Sequence, residues 1–379
     1  ARAAEEGPVK IGVLGDYSSA YSSVGGKFLL EAVRMAVEDF GGTLFGKPIE
    51  IVSGDTQLKP DVASTIARQW FDEGVDMITD IPSTNIAFTV DPIAEQRNKI
   101  VMVTSAASSD ISGAKCSPNV AHWTYDTYSV ARSSASVLME RGAKTWFFLN
   151  QDTATGIAAE RDVTQVVQEK GGRMLGSVKA PVNAADFSSF ILEALAAKAD
   201  VYAFAPAGSA GVTAIKQASE FGMLRSAQLV SIFMMPDDVK ALGLETAQGL
   251  IYATAFDANL NDRTRAFSER FLKRAGKTPN MNMVGSYSAV SHYLRAVQAA
   301  GTKDTATIMA KMRDMPVKDV FTQDGQLRID GRMAHSMYVV QVKSPAESTG
   351  EWDLSKVIAT VPASVAVRPL NAGGCPLVK

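Results

Sequence analysis

Short apolar runs alternate with stretches of helical periodicity over roughly the first hundred residues. Four runs predict strands, namely Val9–Leu14, Ile49–Val52, Met77–Ile81 and Ile100–Val103. The intervening segments carry apolar residues at helical spacing and predict helices, namely Phe28–Phe40, Pro60–Phe71 and a helix from Ser83 or Thr84 to Glu95. Strands separated by helices of ~10–15 residues are typical of βαβ units, in which helices cover both faces of a parallel sheet.

The same alternation restarts beyond Asp126, which we expect to cap a helix running to Arg141. Further predicted strands are Thr145–Leu149, Met174–Val178, Val201–Ala205, Leu229–Phe233 and Leu250–Thr254. Further predicted helices are Ile157–Lys170, Phe187–Ala197, Gly211–Phe221, Met235–Leu242, Arg263–Ala275 and Val284–Ala299, followed by a strand-rich and turn-rich end. The pattern therefore predicts two doubly wound α/β units. The short extended loop Ser117–Thr124 between them suits a hinge better than a flexible tether.

Length and charge narrow the class of protein. A chain of 379 residues is long enough for two cores. The net charge of -2, without a block of like charges, argues against a nucleic-acid binder or a polybasic membrane binder. No apolar run reaches the ~18 residues of a membrane-spanning helix. The polar stretch Ala1–Pro8 is typical of an exported chain after removal of its signal peptide, and a trimmed chain would look the same.

Most catalytic or metal-binding motifs in the chain lack the neighbouring residues or elements that their chemistry requires. Gly41–Lys47 imitates a phosphate-binding loop, but Pro48 stands where Ser or Thr is required, and the segment leads from helix to strand. Ser112 and Lys115 have the spacing of a hydrolase pair without its companion motifs. The three histidines, His122, His292 and His335, are scattered and are interpreted as hydrogen-bonded structural residues. We therefore predict no catalytic residue, metal site or cofactor.

The two cysteines, Cys116 and Cys375, lie far apart in the sequence and form no metal-ligand spacing. Two cysteines permit one disulfide in an oxidising compartment. Two buried free thiols are the alternative, and the residues themselves do not decide between them.

Three loops rich in small and hydroxyl residues follow predicted strands: Gly15–Tyr21, Pro82–Asn85 and Thr104–Ser109. Ligands of open α/β sheets sit at the carboxyl ends of the strands. Hydroxyl groups and free N–H groups at the start of a helix can hold a carboxylate without an arginine. These loops are therefore candidates for a carboxylate site, although ordinary capping loops would look similar.

Several stretches resemble the branched-chain amino-acid type of ABC-transporter solute-binding proteins. They are Val9–Asp16, Glu31–Phe40 and Ile100–Ser108. Cys116–Tyr128 and the tail Gly374–Lys379 resemble one subgroup of that family, which is associated with aromatic acids as well as amino acids. The resemblance covers essentially the whole chain.

The resemblance implies a type I periplasmic-binding-protein fold, in which two Rossmann-like, doubly wound lobes are joined by a three-stranded hinge. We expect the crossings near Trp123–Tyr125, Ala255–Asp257 and Asp330–His335. Lobe 1 would comprise residues 1–122 and 257–330, and lobe 2 residues 126–254 and 335–365. Residues 366–379 would form a tail packed on lobe 1, held by the Cys116–Cys375 disulfide that the subgroup implies.

The resemblance also implies a function: a monomeric periplasmic protein that captures a small molecule between its closing lobes and delivers it to the membrane permease of an ABC importer. Such a protein is not an enzyme and binds no nucleic acid. Expected ligand contacts are Tyr21, Ser83, Thr84, Ser105, Ala106, Ala107 and Ser108 in the first lobe, and Thr153, Thr155, Ala207, Gly208, Phe233 and Asp257 in the second.

Two departures from the family bear on the ligand. Relatives usually read Asp-Tyr-Ala-Phe-Gly where this chain has Asp152–Gly156, with Thr153 and Thr155 in place of the aromatic residues. Amino-acid binders carry an acidic residue near Phe233 for the ligand's ammonium, and burying an unpaired cation is costly. We therefore expect a small carboxylate such as an aromatic acid, packed on Phe233 and Tyr21. The alternatives are an amino-acid binder of the same family or an α/β enzyme with its active site between the lobes.

Overall fold

The computed structural model describes residues 7–379, which form two compact units. The first unit contains the chain up to Asp126 together with Ala258–His335 and Arg368–Lys379. The second unit contains Thr127–Asp257 and Ser336–Val367. Within the described range, no helix combines the length and the apolar content that a membrane span needs.

The first segment of the first unit alternates strands and helices as predicted. Its elements are β1 (Lys10–Gly15), α1 (Gly26–Phe40), β2 (Thr43–Leu44), β3 (Lys47–Pro48), β4 (Glu50–Asp55), α2 (Pro60–Asp72), β5 (Met77–Asp80), α3 (Thr84–Gln96), β6 (Ile100–Val103), a 3₁₀ turn (Ser109–Ser112) and β7 (Val120–His122). Helix α1 buries Leu29, Leu30 and Val33 on one face and ends at Gly41, whose φ of 109° is left-handed. The imitation phosphate loop forms the short β2–β3 hairpin.

The second unit continues the alternation with shorter helices. Its first segment contains α4 (Thr127–Glu140), β8 (Thr145–Gln151), α5 (Ala154–Glu169), β9 (Arg173–Ala180), α6 (Ser188–Ala196), β10 (Val201–Phe204), α7 (Gly208–Glu220), α8 (Met223–Ser226), β11 (Gln228–Ser231), α9 (Pro236–Leu242), α10 (Leu244–Ala247) and β12 (Ile251–Thr254).

The last part of the chain returns to each unit in turn. The first unit receives α11 (Asp262–Ala275), α12 (Met281–Ala300), α13 (Thr305–Asp314), β13 (Gln326–Leu327) and β14 (Met333–Ala334). The second unit receives β15 (Met337–Val342), a 3₁₀ turn (Pro345–Glu347), β16 (Ser355–Val361) and α14 (Ala363–Ala366), after which a 3₁₀ turn (Leu370–Ala372) lies in the tail.

The sheet of the first unit has the order β4-β1-β5-β6-β7 and is parallel throughout. Apolar residues of α2 and α3, such as Trp70 and Val90, pack with Leu14, Ile78 and Val101 of the strands. Helices α1 and α12 pack together and contact β1 and β5. Because helices cover both faces of this sheet, its strands consist of the continuous apolar runs noted in the sequence.

The sheet of the second unit has the order β16-β15-β12-β11-β10-β8-β9. Its strands are parallel from β9 to β12, whereas β15 and β16 add in antiparallel orientation. Tyr202, Phe204 and Leu229 belong to its buried core, together with Phe187 and Ile215 from the covering segments. The predicted α/β class with parallel sheets is therefore confirmed.

Two expectations for the secondary structure were wrong. Ser117–Thr124 is not simply an extended loop, because Val120–His122 pairs in parallel with β6 as the fifth strand of the first sheet. The strand-rich end of the chain also contains a helix, α13, which Asp304 caps by accepting a hydrogen bond from Thr307 N at 2.9 Å. Pairing with a distant strand decides the first of these elements, so its own residues did not reveal it.

A fully buried ion pair joins separate segments of the first unit beside β7. Arg332 Nε lies 2.9 Å from Asp126 Oδ2, and both side chains are about 1–2% exposed. Arg332 Nη1 also donates to the carbonyl oxygens of His122 at 3.1 Å, Trp123 at 2.9 Å and Met333 at 2.7 Å. His122 N donates to Gly331 O at 2.7 Å, so residues 331 and 332 continue the sheet edge beyond β7.

The predicted disulfide between Cys116 and Cys375 is present and joins residues 259 apart in sequence. Both cysteines belong to the first unit. Arg368 strengthens this attachment of the tail, because its Nη2 donates to Ser109 O at 2.9 Å and its own carbonyl accepts from Arg328 Nη1 at 2.7 Å.

We expect Arg332→Met to lower the free energy of unfolding of the first unit by about 3–5 kcal/mol, because it removes the buried cation that pairs with the buried carboxylate of Asp126. Denaturant titration followed by tryptophan fluorescence measures the change. Arg97→Met is the control: its partner Asp72 is half exposed, so the loss should stay below about 1 kcal/mol. Equal losses in the two variants would contradict this role for Arg332.

Reduction of the disulfide should lower the stability of the first unit by about 2–5 kcal/mol, because the bond closes a very long loop in the unfolded chain. Guanidinium unfolding with and without dithiothreitol measures this loss. The double variant Cys116→Ala, Cys375→Ala should unfold at the midpoint of the reduced chain. Its midpoint should not respond to dithiothreitol, and a response there would show that the reductant acts elsewhere.

Candidate functional site

The predicted ligand residues of the first unit follow three adjacent strands. Strands β1, β5 and β6 are neighbours in the sheet, and their parallel carboxyl ends open on one edge. The loops after them contain Tyr21, then Ser83 and Thr84, then Ser105–Ser108. We call this set of loops, residues 15–25, 81–85 and 104–108, the first rim.

Two carboxylates shape the loop after β1. Buried Asp16 accepts from Ser19 N at 2.9 Å, Ser19 Oγ at 2.7 Å and Tyr21 N at 2.7 Å. Asp55, at the end of β4, accepts from Tyr17 N at 3.0 Å and Ser18 Oγ at 2.5 Å. These bonds hold the partly exposed Tyr21 at the rim. Burial, with the Asp16 charge, raises the pKa of Tyr21 and keeps its hydroxyl protonated.

The loops after β5 and β6 are joined by hydrogen bonds. Ser83 is the N-cap of α3 and accepts from Ile86 N at 3.4 Å. Buried Thr84 accepts from Ser108 N at 3.3 Å across 24 residues. Ser108 is itself buried and caps the following 3₁₀ turn by accepting from Asp110 N at 3.3 Å. Thr84 and Ser108 thus hold the two loops together, and the partly exposed Ser83 stands at the start of the helix.

Between these bonded residues lies a pair of backbone donors. The N–H groups of Ala106 and Ala107 have no acceptor within residues 7–379, although both residues are at least 95% buried. No Lys, Arg or His occurs in segments 15–21, 82–85 or 104–109. Buried N–H groups require acceptors, and the N-terminus of α3 adds a positive dipole. The first rim can therefore hold an anion without a cationic side chain.

The hydroxyl group of Ser105 already makes a hydrogen bond within the protein. Ser105 is partly exposed, and its Oγ donates to Asp80 Oδ1 at 2.5 Å. Its carbonyl oxygen accepts from Tyr125 Oη at 3.1 Å. The hydroxyl proton of Ser105 is thus directed at a carboxylate within the protein. Ser108 Oγ accepts from Asp110 N, and its side chain is buried beside Thr84.

The predicted residues of the second unit also follow adjacent parallel strands. Thr153 and Thr155 follow β8, Ala207 and Gly208 follow β10, and Phe233 follows β11. Asp257 follows β12, and the four strands are consecutive in the order β12-β11-β10-β8. We call this set of loops, residues 152–156, 205–208, 232–235 and 255–257, the second rim.

Several side chains of the second rim have local roles. Thr153 is the N-cap of α5 and accepts from Gly156 N at 2.9 Å, and Thr155 lies in the first turn of that helix. Ala207 precedes α7 without a side-chain cap, and Gly208 opens that helix with a φ of 57°. Phe233 is 8% exposed, and Asp257 accepts from Ser355 Oγ at 3.5 Å. The hydroxyl of Thr153 is therefore engaged within its own loop.

The three histidines are buried and hydrogen-bonded to backbone carbonyls, as expected of structural residues. Their Nε2 atoms lie 2.9 Å from Ala106 O for His122, 2.9 Å from Met312 O for His292 and 2.7 Å from Thr124 O for His335. Burial lowers the pKa of His122 to about 4, and the nearby Arg332 adds to this shift. His122 is neutral at pH 7 and supports the loop that carries Ala106.

Asp80, beneath the first rim, is the residue that the sequence did not reveal. Its signal was a carboxylate at the end of the buried strand Met77–Asp80, shortly before the candidate loop Pro82–Asn85. Its partner Ser105 is 25 residues away, and only the pairing of β5 with β6 brings the two side chains together.

Residues 8–350 match the family model described as periplasmic binding protein, and the chain belongs to that family. This finding confirms the resemblance noted in the sequence.

Two solved structures share more than a third of their residues with this chain. A periplasmic binding protein from Burkholderia mallei is 39% identical, with a TM-score of 0.94, over 98% of this chain and 99% of that one. A branched chain amino acid ABC transporter periplasmic ligand-binding protein from Burkholderia xenovorans is 37% identical, with a TM-score of 0.91, over 98% and 100%.

More distant proteins match this chain over nearly the same length. Leu/Ile/Val-binding protein homolog 6 from Brucella melitensis is 25% identical over 95% of this chain and 93% of the relative. A solute-binding protein from R. palustris in complex with benzoate is 19% identical, with a TM-score of 0.85, over 98% and 100%. The latter likeness concerns the fold alone.

Ser83→Gly should weaken ligand binding about tenfold, because it removes a hydroxyl that would meet a charged ligand oxygen. Glycine is nearly as good an N-cap as serine, so the thermal stability should change little. Ser83→Ala is the matched variant: it should show the same loss of affinity with an added loss of about 1 kcal/mol in stability. Isothermal titration with any bound carboxylate measures the affinity, and unchanged affinity in both variants would remove Ser83 from the site.

Proposed function

We propose that this chain is the extracytoplasmic solute-binding component of an ABC importer and that it captures a small carboxylate. An aromatic acid or a related organic acid is the favoured ligand. Family membership supports the class of function. The residues of the two rims support the proposed ligand chemistry.

The observation that carries the proposed ligand class is the pair of buried N–H groups of Ala106 and Ala107. They have no acceptor within the described chain, and the next N–H group, that of Ser108, donates to Thr84 at the start of α3. A carboxylate oxygen provides the acceptors that these groups lack, and hydrogen bonds to a charged group are among the stronger ones. Because no cationic side chain occurs in these segments, a dianion such as a phosphate ester is disfavoured relative to a single carboxylate.

The body of the ligand is assigned from apolar and aromatic side chains. Tyr21 lies at the first rim and Phe233 at the second. We propose that one ligand contacts residues of both rims, as closure of two lobes on it would require. Phe233 offers no charge to an ammonium group, which supports an aromatic or aliphatic acid over an amino acid at that position.

The remaining elements of the proposal follow from the class. The chain acts as a monomer in the periplasm, delivers its ligand to a membrane permease and performs no catalysis. It needs no cofactor and no nucleic acid. The three histidines are engaged with backbone carbonyls, which supports a binding role over acid–base chemistry.

A ligand screen on the intact chain tests the proposal. We expect at least one small carboxylate among benzoates, phenylacetate, mandelate and branched-chain amino and keto acids to raise the melting temperature. A ligand at about 100 times its Kd stabilises the folded chain by about 2.7 kcal/mol through mass action. The corresponding primary amides, which lack the carboxylate, are the matched controls and should have no effect.

Titration calorimetry of each hit then gives the affinity, and NMR of the recovered ligand shows whether it is chemically unchanged. Stabilisation by the amides as well as the acids would contradict the carboxylate site. Turnover of a hit would instead favour the alternative of an α/β enzyme. Binding of leucine or valine above all organic acids would favour the amino-acid alternative, which the relative from Burkholderia xenovorans also represents by its name.

A further inference from the structure

Asp80 is a buried carboxylate beneath the first rim with only one of its two oxygens hydrogen-bonded. Asp80 is 1% exposed, and its Oδ1 accepts from Ser105 Oγ at 2.5 Å. Its Oδ2 is buried and has no hydrogen-bond partner among the described residues. A buried, half-satisfied carboxylate is costly to the fold, which points to a role other than stability.

Within residues 7–379, the charge that acts on Asp80 is that of Asp16, and no cation offsets it. Asp16 and Tyr17 face it from the loop after β1, and Ser105 faces it from the loop after β6. A Cβ atom added at Gly15 would lie 2.5 Å from Asp80 Oδ2, so glycine at 15 makes room for the carboxylate. Burial raises the pKa of Asp80 to about 7; the Ser105 hydrogen bond opposes this shift and Asp16 adds to it.

The backbone also imposes the position of this carboxylate. Asp80 and Ile81 have φ angles of 80° and 61°, in the left-handed region that residues with a Cβ rarely adopt. Each such residue costs about 1–2 kcal/mol, and the cost is greater for a β-branched residue such as Ile81. Strand β5 therefore ends in a strained turn that directs Asp80 towards Ser105.

This geometry determines what Ser105 can offer a ligand. A serine hydroxyl has one proton and two lone pairs. An ionised Asp80 can only accept, so the proton of Ser105 points to Asp80 and the lone pairs remain for the rim. Ser105 then cannot donate to a ligand carboxylate, whereas the adjacent N–H groups of Ala106 and Ala107 can.

We propose that Asp80 is a positioning residue that fixes Ser105 as a hydrogen-bond acceptor, so that the site selects carboxylates carrying a hydroxyl donor next to the carboxylate. The proposal rests on the proposed function of the first rim. It adds a chemical requirement: the anion binds at Ala106 and Ala107, and the donor on the neighbouring carbon binds at Ser105.

Protonation of Asp80 weakens this selection. A protonated Asp80 can donate to Ser105 Oγ, which frees the Ser105 hydroxyl proton for the ligand. The preference for donor-bearing ligands is therefore present above the raised pKa of Asp80 and fades as the pH falls through it.

The test uses two sets of ligands with matched skeletons. The first set is leucine, 2-hydroxy-4-methylpentanoate and 4-methylpentanoate, and the second is phenylglycine, mandelate and phenylacetate. Calorimetric titration at about pH 5.5, 7.0 and 8.5 gives the ratio of the donor-free Kd to the hydroxy-acid Kd. We expect a ratio of about tenfold at pH 8.5, falling to within about twofold at pH 5.5. The amino acid of each set should bind more weakly than the hydroxy acid, because Phe233 gives its ammonium no charged partner.

Two variants test the role of Asp80 and Ser105. Asp80→Asn should give a ratio that is the same at all three pH values, because the amide does not titrate. Ser105→Ala should abolish the preference even at pH 8.5. Asp91→Asn is the matched control, since Asp91 is also buried, with an unpartnered Oδ1, but lies seven residues into α3 from Thr84. Its ratio should follow that of the unmodified chain.

Folding and function are separated by a second readout. A raised carboxyl pKa means that the Asp80 contribution favours the folded state below the unfolded pKa and is lost as the pH rises through about 7. Asp80→Asn should therefore melt higher than the unmodified chain at pH 8.5, which also reports that it is folded. If Asp80→Asn fails to fold, Ser105→Ala and the pH profile of the unmodified chain still decide.

A ratio that does not change with pH in the unmodified chain would overturn the proposal. So would an Asp80→Asn profile that follows the unmodified one, or tighter binding of the donor-free acids at pH 8.5. Failure of the proposed function is distinct from these results, because then no carboxylate in the screen or in either set would bind at any pH.

Discussion

The first unit depends on a charge that it cannot leave unpaired. Arg332 is buried, and its guanidinium is held by Asp126 and by the carbonyl oxygens of His122, Trp123 and Met333. Removing either charge would leave the other in a low-dielectric interior. The pair thus fixes how residues 331 and 332 extend the sheet beyond β7, and Asp126 is the residue after which the chain enters the second unit. His122, whose carbonyl oxygen Arg332 holds, in turn contacts Ala106 O of the first rim through its Nε2.

Local patterns predicted most of the fold because local periodicity determines most of it. The apolar residues of helix α1 and strand β6 are sufficient to predict which positions are buried. The loops after β1, β5 and β6 were identified because the carboxyl ends of parallel strands lie at one edge of the sheet. Strand β7 was missed because only pairing with β6 makes Val120–His122 a strand. Asp80 was missed because its role needs a partner 25 residues away and left-handed backbone at a residue that is not glycine.

The polarity of the first rim follows from the direction of the hydrogen bonds that its hydroxyl groups already make. Ser83 accepts from Ile86 N and keeps its hydroxyl proton for a ligand, whereas Ser105 donates its proton to Asp80. A row of hydroxyl residues that looks uniformly suited to an anion therefore divides into donors, at Ser83 and at the backbone of Ala106 and Ala107, and an acceptor at Ser105. Counting hydroxyl groups in the sequence could not show this division, because it depends on the direction of each hydrogen bond.

The disulfide has a consequence for the order of events during biosynthesis. Cys116 is made early, but its partner Cys375 follows 259 residues later, after every residue of the second unit has been synthesised. The covalent ring therefore encloses the entire second unit, and it can close only once the chain has passed through that unit and returned. A chain that has not yet reached Cys375 therefore lacks this bond, so its formation follows the synthesis of both units rather than the folding of the first segment.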